Sequence, residues 1–239
     1  MRLTVVTGAS AGIGRAVAHA ARARGEVVAA VSRRGSSADR VLTADLADPA
    51  TWPVVAEWIE ELATGGHWEH VDLIHAAATL VPIGPAGLVD PDAYRANVLL
   101  NSAAPQVLGA SFVGVLNRHG LAGCVVMLSS GAARTAYEGW SSYGAGKAAI
   151  DQWVRTVGAE QVRQPVPVKV LAVAPGVVAT AMQEHIRRTP AERFPRVERF
   201  HRMHEEGELA DADDVAARLW KVIHDPAVEN GTVLDLRAH

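Results

Sequence analysis

Apolar residues along this chain come in short dense runs, and between the runs they recur every three or four positions. Residues 2–7 (RLTVVT), 26–32 (EVVAAVS), 71–76 (VDLIHA), 123–129 (GCVVMLS), 168–174 (VKVLAVA) and 231–236 (GTVLDL) read as strands, and 40–45 (RVLTAD) as a weaker one. They are rich in Val and Leu without strict apolar–polar alternation, as expected of strands covered on both faces. The longer patterns over 13–24, 50–63, 92–118, 142–163 and 211–224 read as helices. Strand and helix alternate throughout, which predicts an α/β fold: one doubly wound parallel sheet of about seven strands with helices on both faces. No repeat, low-complexity tract or linker divides the chain, so residues 1–239 read as a single domain.

Composition narrows the class without naming a chemistry. With 239 residues, 49% of them hydrophobic and 21% charged, the chain can bury a sizeable core and matches an ordinary globule. A net charge of −3 gives no overall attraction to nucleic acid or to an anionic membrane, so neither is expected as a partner. No uninterrupted apolar run reaches the roughly 18 residues of a membrane span, and the N-terminus MRLTVVTGAS lacks the apolar stretch of a signal peptide. The one cysteine, Cys124, lies inside an apolar run and reads as a small buried hydrophobe. A reducing, cytoplasmic setting is the expectation. The basic residues are nearly all arginine; lysine stands only at 147, 169 and 221.

The stretch TGASAGIG (7–14) falls between the first strand and the first helix. Its glycines, Gly8, Gly12 and Gly14, let a ligand approach the backbone, and the N–H groups opening the helix favour an anion. A dinucleotide pyrophosphate fits there, with Ser10 and Ile13 in the same turn, which makes the predicted sheet a Rossmann type. A lone glycine-rich turn without ligand is the competing reading. Where sheets that bind NAD usually carry an acid, the second strand ends in Ser32, followed by Arg33 and Arg34. Two guanidinium groups suit a 2′-phosphate, with Arg15 able to assist, so NADP(H) is expected in preference to NAD(H). Asp45, at the end of the weak strand, reads either as an acceptor for the adenine amino group or as a turn residue.

Candidate chemistry lies in SSYGAGKAAIDQWV (141–154). Tyr143 and Lys147 stand four apart and share a helix face. A tyrosine near its ordinary pKa of about 10 exchanges protons poorly at neutral pH, and a neighbouring ammonium would lower that value. The pair therefore reads as a general acid/base unit, with Ser129 or Ser130 at the preceding strand end placed to hold a carbonyl oxygen.

With these residues assembled, the chain resembles the short-chain dehydrogenase/reductases over essentially its whole length. The match consists of TGxxxGxG, a strand-end Ser, Tyr-x-x-x-Lys thirteen residues beyond that Ser, and Pro175–Gly176 after the sixth strand. The spacing selects Ser130 over Ser129. The resemblance implies that Pro175, Gly176, Val178 and Thr180 meet the nicotinamide amide. It also implies a catalytic asparagine, assigned to Asn101 in NSAAP, with Asn97 as the alternative, free to face solvent. One departure is plain: HAAA (His75 to Ala78) replaces the family's Asn-Asn-Ala-Gly. Ala76 and Ala77 still leave room for the adenosine ribose. His75 is expected to be a core histidine with a satisfied ring, without a catalytic role.

The implied reaction is hydride transfer to a ketone, with Tyr143 protonating the oxygen and Ser130 hydrogen-bonding it. Lys147 would bind the nicotinamide ribose and lower the tyrosine pKa, while Asn101 helps hold a water that relays protons to Lys147. Substrate contacts are expected from Ser130, Tyr143, Trp140 and Tyr137, and from Met182 in a lid over about 180–209. The lid carries six arginines among glutamates, which reads as a solvated amphipathic face, and His201 and His204 lack a third ligand, so no metal is expected. Gly139–Trp140 before Tyr143, and the lid pattern of Thr180, Met182–Gln183, Ile186–Arg187, Phe194 and Arg199–Phe200 with a later G-x-L at 207–209, resemble the benzil reductases and sepiapterin reductases of the family. The implied activity is NADPH-dependent reduction of an aromatic or vicinal dicarbonyl ketone. A 3-oxoacyl or sugar ketone reductase stays open, as does a non-catalytic NADP-binding sensor. The helices over 92–118 and 142–163 are expected to pair copies into a homodimer or homotetramer.

Overall fold

The structure, a computed structural model, describes residues 1–238. Its strands are β1 (Arg2–Thr7), β2 (Val27–Ser32), β3 (Arg40–Thr43), β4 (His70–His75), β5 (Gly123–Leu128), β6 (Lys169–Ala174) and β7 (Val233–Asp235). They form one seven-stranded sheet in the order β3-β2-β1-β4-β5-β6-β7. Every pairing is parallel. Its helices are α1 (Gly12–Ala23), α2 (Trp52–Thr64), α3 (Pro91–Val98), α4 (Ala104–His119), α5 (Ser141–Gln161), α6 (Ala181–Arg187), α7 (Val197–Glu205) and α8 (Ala212–His224). The order is that of the Rossmann fold, as the strand–helix alternation predicts.

Both sheet faces are buried, which is why the strands read as continuous apolar runs. Along β4, Val71 and Leu73 enter one core with Leu108 of α4 and Ile150 of α5. Ile74 turns to the other, with Val17 of α1 and Leu219 of α8. The two-residue period survives, hidden because both destinations are apolar. Helix α8 starts on Asp211, whose carboxylate accepts the N–H groups of Asp213 and Asp214, and it carries Lys221 and His224 in its last turn. Both ends thus complement the helix dipole.

Three expectations need correction. The helix expected over 92–118 is interrupted by a π turn at Leu99–Ala103. Pro105 is the reason: it offers no N–H to the carbonyl four residues back, that of Asn101, and its ring crowds the same group. Strand β7 keeps only Val233–Asp235 of 231–236, because Gly231 turns at φ +80° and Leu236 opens a 3-10 turn. Finally, although no uninterrupted apolar run is long enough, the stretch Pro91–His119 has the length and mean hydropathy of a membrane span, with 50% of its most apolar window buried in the fold. Leu100, Leu108, Phe112 and Leu116 account for that pattern by packing into the core.

Candidate active site

Chain connections leave β1 and β4 toward opposite edges of the sheet, which opens a crevice at the C-terminal ends of these neighbouring strands. TGASAGIG forms one lip of it. Gly8 holds φ +73°, and a Cβ there would stand 2.8 Å from the Cα of Ala77 on the opposite lip. A Cβ on Gly14 would stand 2.5 Å from the Gly8 carbonyl oxygen. Both positions therefore require glycine. Ala11 precedes α1 with no capping side chain, and the first turn carries no acid, so the opening N–H groups are left for an anion.

Arg33 and Arg34 line the far end of this cleft. The Arg33 guanidinium stands 3.9 Å from the Asp45 carboxylate, and both groups are exposed. Asp45 also accepts the Ala47 N–H at 3.0 Å, so it closes a turn while lining the cleft, and its two sequence readings coexist. Arg15 is exposed and lies off the cleft lining. The bare backbone, the uncapped helix start and the paired arginines fit a phosphorylated dinucleotide.

At the near end, the chain leaves β5 through Ser129 and Ser130 and returns to start α5. One turn of that helix separates Tyr143 from Lys147, and both are buried and face the cleft. The Lys147 Nζ donates to the Leu128 carbonyl at 2.8 Å and lies 5.6 Å from the centre of the Tyr143 ring. Burial lowers the lysine pKa to about 8, with Asp151 pulling it back up. Asp151 accepts from the Ser129 hydroxyl, which fixes the residue before Ser130 onto α5. For Tyr143, the expected lowering is overturned. Burial raises its pKa and a hydrogen bond with Ser130 opposes that rise, while the Lys147 ammonium is bonded to the Leu128 carbonyl.

Asn101 sits in the π turn, off the cleft lining. Its amide donates to the Thr79 carbonyl and to Asn97 Oδ1, both at 2.8 Å, and accepts from the Thr79 N–H. Asn97 is also fully buried, donating to the Thr79 and Val81 carbonyls, so the expectation that it faces solvent fails. The Asn101 carbonyl faces α5, 3.2 Å from where a Cβ on Gly146 would lie. His75 departs further from expectation. It is buried as predicted, yet neither ring nitrogen has a hydrogen-bond partner among the described residues. Burial, with the Lys147 charge second, lowers its pKa to about 3.

The remaining wall is aromatic. Trp140 stacks on Phe194 at 4.7 Å between ring centres, Tyr137 lies 4.8 Å away, and Phe200 closes the group at 5.6 Å. Phe194 and Phe200 were marked in the sequence only through the lid pattern that resembles the benzil reductases; with Val197 they recur at helical spacing on the buried side of a charged stretch. Ile186, Gln183 and Arg199 also line the cleft, which encloses about 350 Å³. Apart from Arg15, every position expected to touch cofactor lines it, as do Ser130, Trp140 and Met182.

A family model described as short chain dehydrogenase matches residues 2–191. The chain belongs to this family. A benzil reductase ((S)-benzoin forming) of Bacillus subtilis (strain 168) is 32% identical over 241 residues, covering 99% of each chain. A sepiapterin reductase of Meriones unguiculatus is 31% identical over 255 residues, covering 97% of this chain and 94% of that one. Among solved structures, a putative NAD(P) dependent gluconate 5-dehydrogenase from Beutenbergia cavernae with bound NADP superposes with a TM-score of 0.80 at 28% identity, over 98% of this chain and 94% of that one. The protein is accordingly an oxidoreductase of the short-chain dehydrogenase/reductase type.

Proposed function

We propose that the protein is an NADPH-dependent carbonyl reductase acting on an aromatic or vicinal dicarbonyl ketone of the benzil or sepiapterin kind. The observation that carries this reading is one cleft with Ser130, Tyr143 and Lys147 at its near end, an aromatic wall beside them, and Arg33 and Arg34 at its far end. Gly8, Ser10, Gly12, Ile13 and Gly14 hold the pyrophosphate, Arg33 the 2′-phosphate and Asp45 the adenine. Ala76 and Ala77 border the ribose, and Pro175, Gly176, Val178 and Thr180 hold the nicotinamide amide. The bound nicotinamide supplies the hydride.

Tyr143 gives its proton to the ketone oxygen. Burial keeps the phenol protonated before the substrate binds, and the weaker acidity this brings has to be offset as the proton leaves. Ser130 hydrogen-bonds the same oxygen and stabilises the charge that develops there. Lys147 holds the nicotinamide ribose, and its charge favours the phenolate as the proton leaves. Asn101 acts through its carbonyl, holding a water that passes protons to Lys147. Trp140 and Met182 border the substrate, under a lid formed by 180–209. The exposed Val98, Val107 and Val162 favour pairing of copies through the α3–α4 and α5 region, in a homodimer or homotetramer. Cys124, free and buried, accords with a reducing cytoplasm.

The test is oxidation of NADPH and of NADH, followed by the absorbance of the reduced nicotinamide, with benzil, 1-phenyl-1,2-propanedione and sepiapterin as substrates. Rapid turnover with NADPH and little with NADH is expected. Tight NADPH binding with no turnover of any of the three would overturn the substrate class and favour an acyl-chain or sugar ketone, or a sensor.

A further inference from the structure

His75 ends β4, and the three alanines after it line the cleft. Strand alternation puts it on the face shared by Val71 and Leu73, beneath α4 and α5. Its strand neighbours are Thr7 on β1 and Met127 on β5. A neutral imidazole carries one N–H and one lone pair, and leaving each unpaired in a dry core costs about 1–3 kcal/mol.

The polar groups of the adjoining segments are already bonded to one another. The amides of Asn97 and Asn101 close on each other and on Thr79 and Val81. The Ser129 hydroxyl goes to Asp151, and Thr7 Oγ1 accepts the Ala77 N–H. Lys147 differs: the Leu128 carbonyl uses one of its three N–H donors, and the proposed function gives one to the nicotinamide ribose and one to the water at Asn101.

Resting on the proposed function, we propose that His75 is a positioning residue for Lys147: its neutral ring accepts a hydrogen bond from the same buried water that the Asn101 carbonyl holds and to which the ammonium donates, and so holds the lysine charged and in place. A bridging water of this kind has polar groups on both sides, one of the two conditions for a water to be stable in a protein interior, room for it being the other. The ring is suited to the task because it stays neutral at working pH, where a second cation beside Lys147 would repel it. The titratable groups in this layer are Lys147, Asp151 and Tyr143, all from α5. The strand partners of His75 are Thr7 on β1 and Met127 on β5, neither of which titrates, and the residue after Met127 carries the carbonyl to which Lys147 donates.

The chain has three lysines, 147, 169 and 221, so isotope-labelled lysine yields three Cε resonances whose pH titrations can be followed one by one in the whole protein. This readout needs neither substrate nor turnover, so it stands apart from the proposed activity. Removing the acceptor disfavours the charged form. His75→Leu and His75→Phe are therefore expected to lower the Lys147 pKa by about half a unit to one unit. His75→Asn, which can still accept, should keep it within about 0.3 units. Lys169 and Lys221 should not move, and their unchanged shifts show that the fold is intact; if the Leu variant does not fold, the Phe variant decides. An unmoved Lys147 titration in the apolar variant overturns the proposal. A raised pKa does so too, since it would mean that His75 carries charge beside the lysine.

Discussion

The two ends of the cleft are built in opposite ways. The end proposed for the cofactor is made of backbone: glycine at 8, 12 and 14, alanine at 76 and 77, and a helix start with nothing to cap it. Its geometry depends on side chains being absent, and two lips of main chain come together at Gly8 and Ala77. The end proposed for the substrate is made of bulk. Tyr137 and Trp140 arrive before α5, Met182 and Ile186 from α6, and Phe194 and Phe200 from near α7; the four aromatic residues hold one another by ring contacts, and the two aliphatic ones pack against them. Main chain recruited by local turn geometry is confined to one solution. A wall of packed side chains can be reshaped by any of its contributors, which makes that end the place where substrate choice can vary while the dinucleotide site stays unchanged.

Several variants can break or sharpen this contrast. The largest effect is expected where both ends must act together. Tyr143→Phe removes the proton donor and should lower kcat about 10²–10⁴-fold while NADPH binding, read by fluorescence titration, is retained. A variant that turns over like the parent would assign the acid to another group. Arg33→Ala tests the backbone-built end through its charged rim. The preference for NADPH over NADH, as a ratio of kcat/KM values, should fall about 10- to 100-fold, the range for losing a charge-assisted hydrogen bond. Trp140→Ala tests the other end. KM for a diketone should rise about tenfold, equivalent to about 1.4 kcal/mol, with NADPH affinity within about twofold of the parent. Equal losses of both would show that the two ends are one packed unit and end the contrast.

The smallest effect concerns pH. The Lys147 pKa is lowered from 10.5 to about 8, so ketone reduction should decline as pH rises through about 8, where half the charge is gone. Stability runs the other way. The unfolded lysine keeps its proton until near 10.5, so the unfolded state binds more protons between about 8 and 10.5, and this group's contribution favours folding increasingly across that window. Rate profiles and denaturant midpoints over the same buffers separate the two trends.

Legibility followed the same division. TGASAGIG announced its turn because only glycine tolerates φ +73° with backbone 2.8 Å from where a Cβ would stand, and that requirement is written locally. Tyr143 and Lys147 were legible because four residues on a helix put two side chains on one face. Pro105 carried the signal of the π turn, which the apolar periodicity of 92–118 masked. The aromatic wall was half visible: Trp140 and Tyr137 stand beside the tyrosine in sequence, whereas Phe194 and Phe200, more than fifty residues away, entered only through the resemblance of the lid and without a place in the wall. The tyrosine pKa was misjudged because a charge four residues away was counted while the depth of burial, which outweighs it, had yet to be known.

By itself the sequence determined the strand and helix alternation, the parallel sheet, the glycine turn and the spacing of Ser130, Tyr143 and Lys147, all of which rest on interactions within a few residues or on periodicity. Tertiary structure alone decided which way the Lys147 ammonium turns, how Asn97 and Asn101 tie the chain after β4, how the aromatic wall closes, and that His75 lies buried with its ring nitrogens unpaired. Those outcomes depend on desolvation and on partners brought together from distant segments. Burial is a property of the packed whole, and no local pattern carries its magnitude.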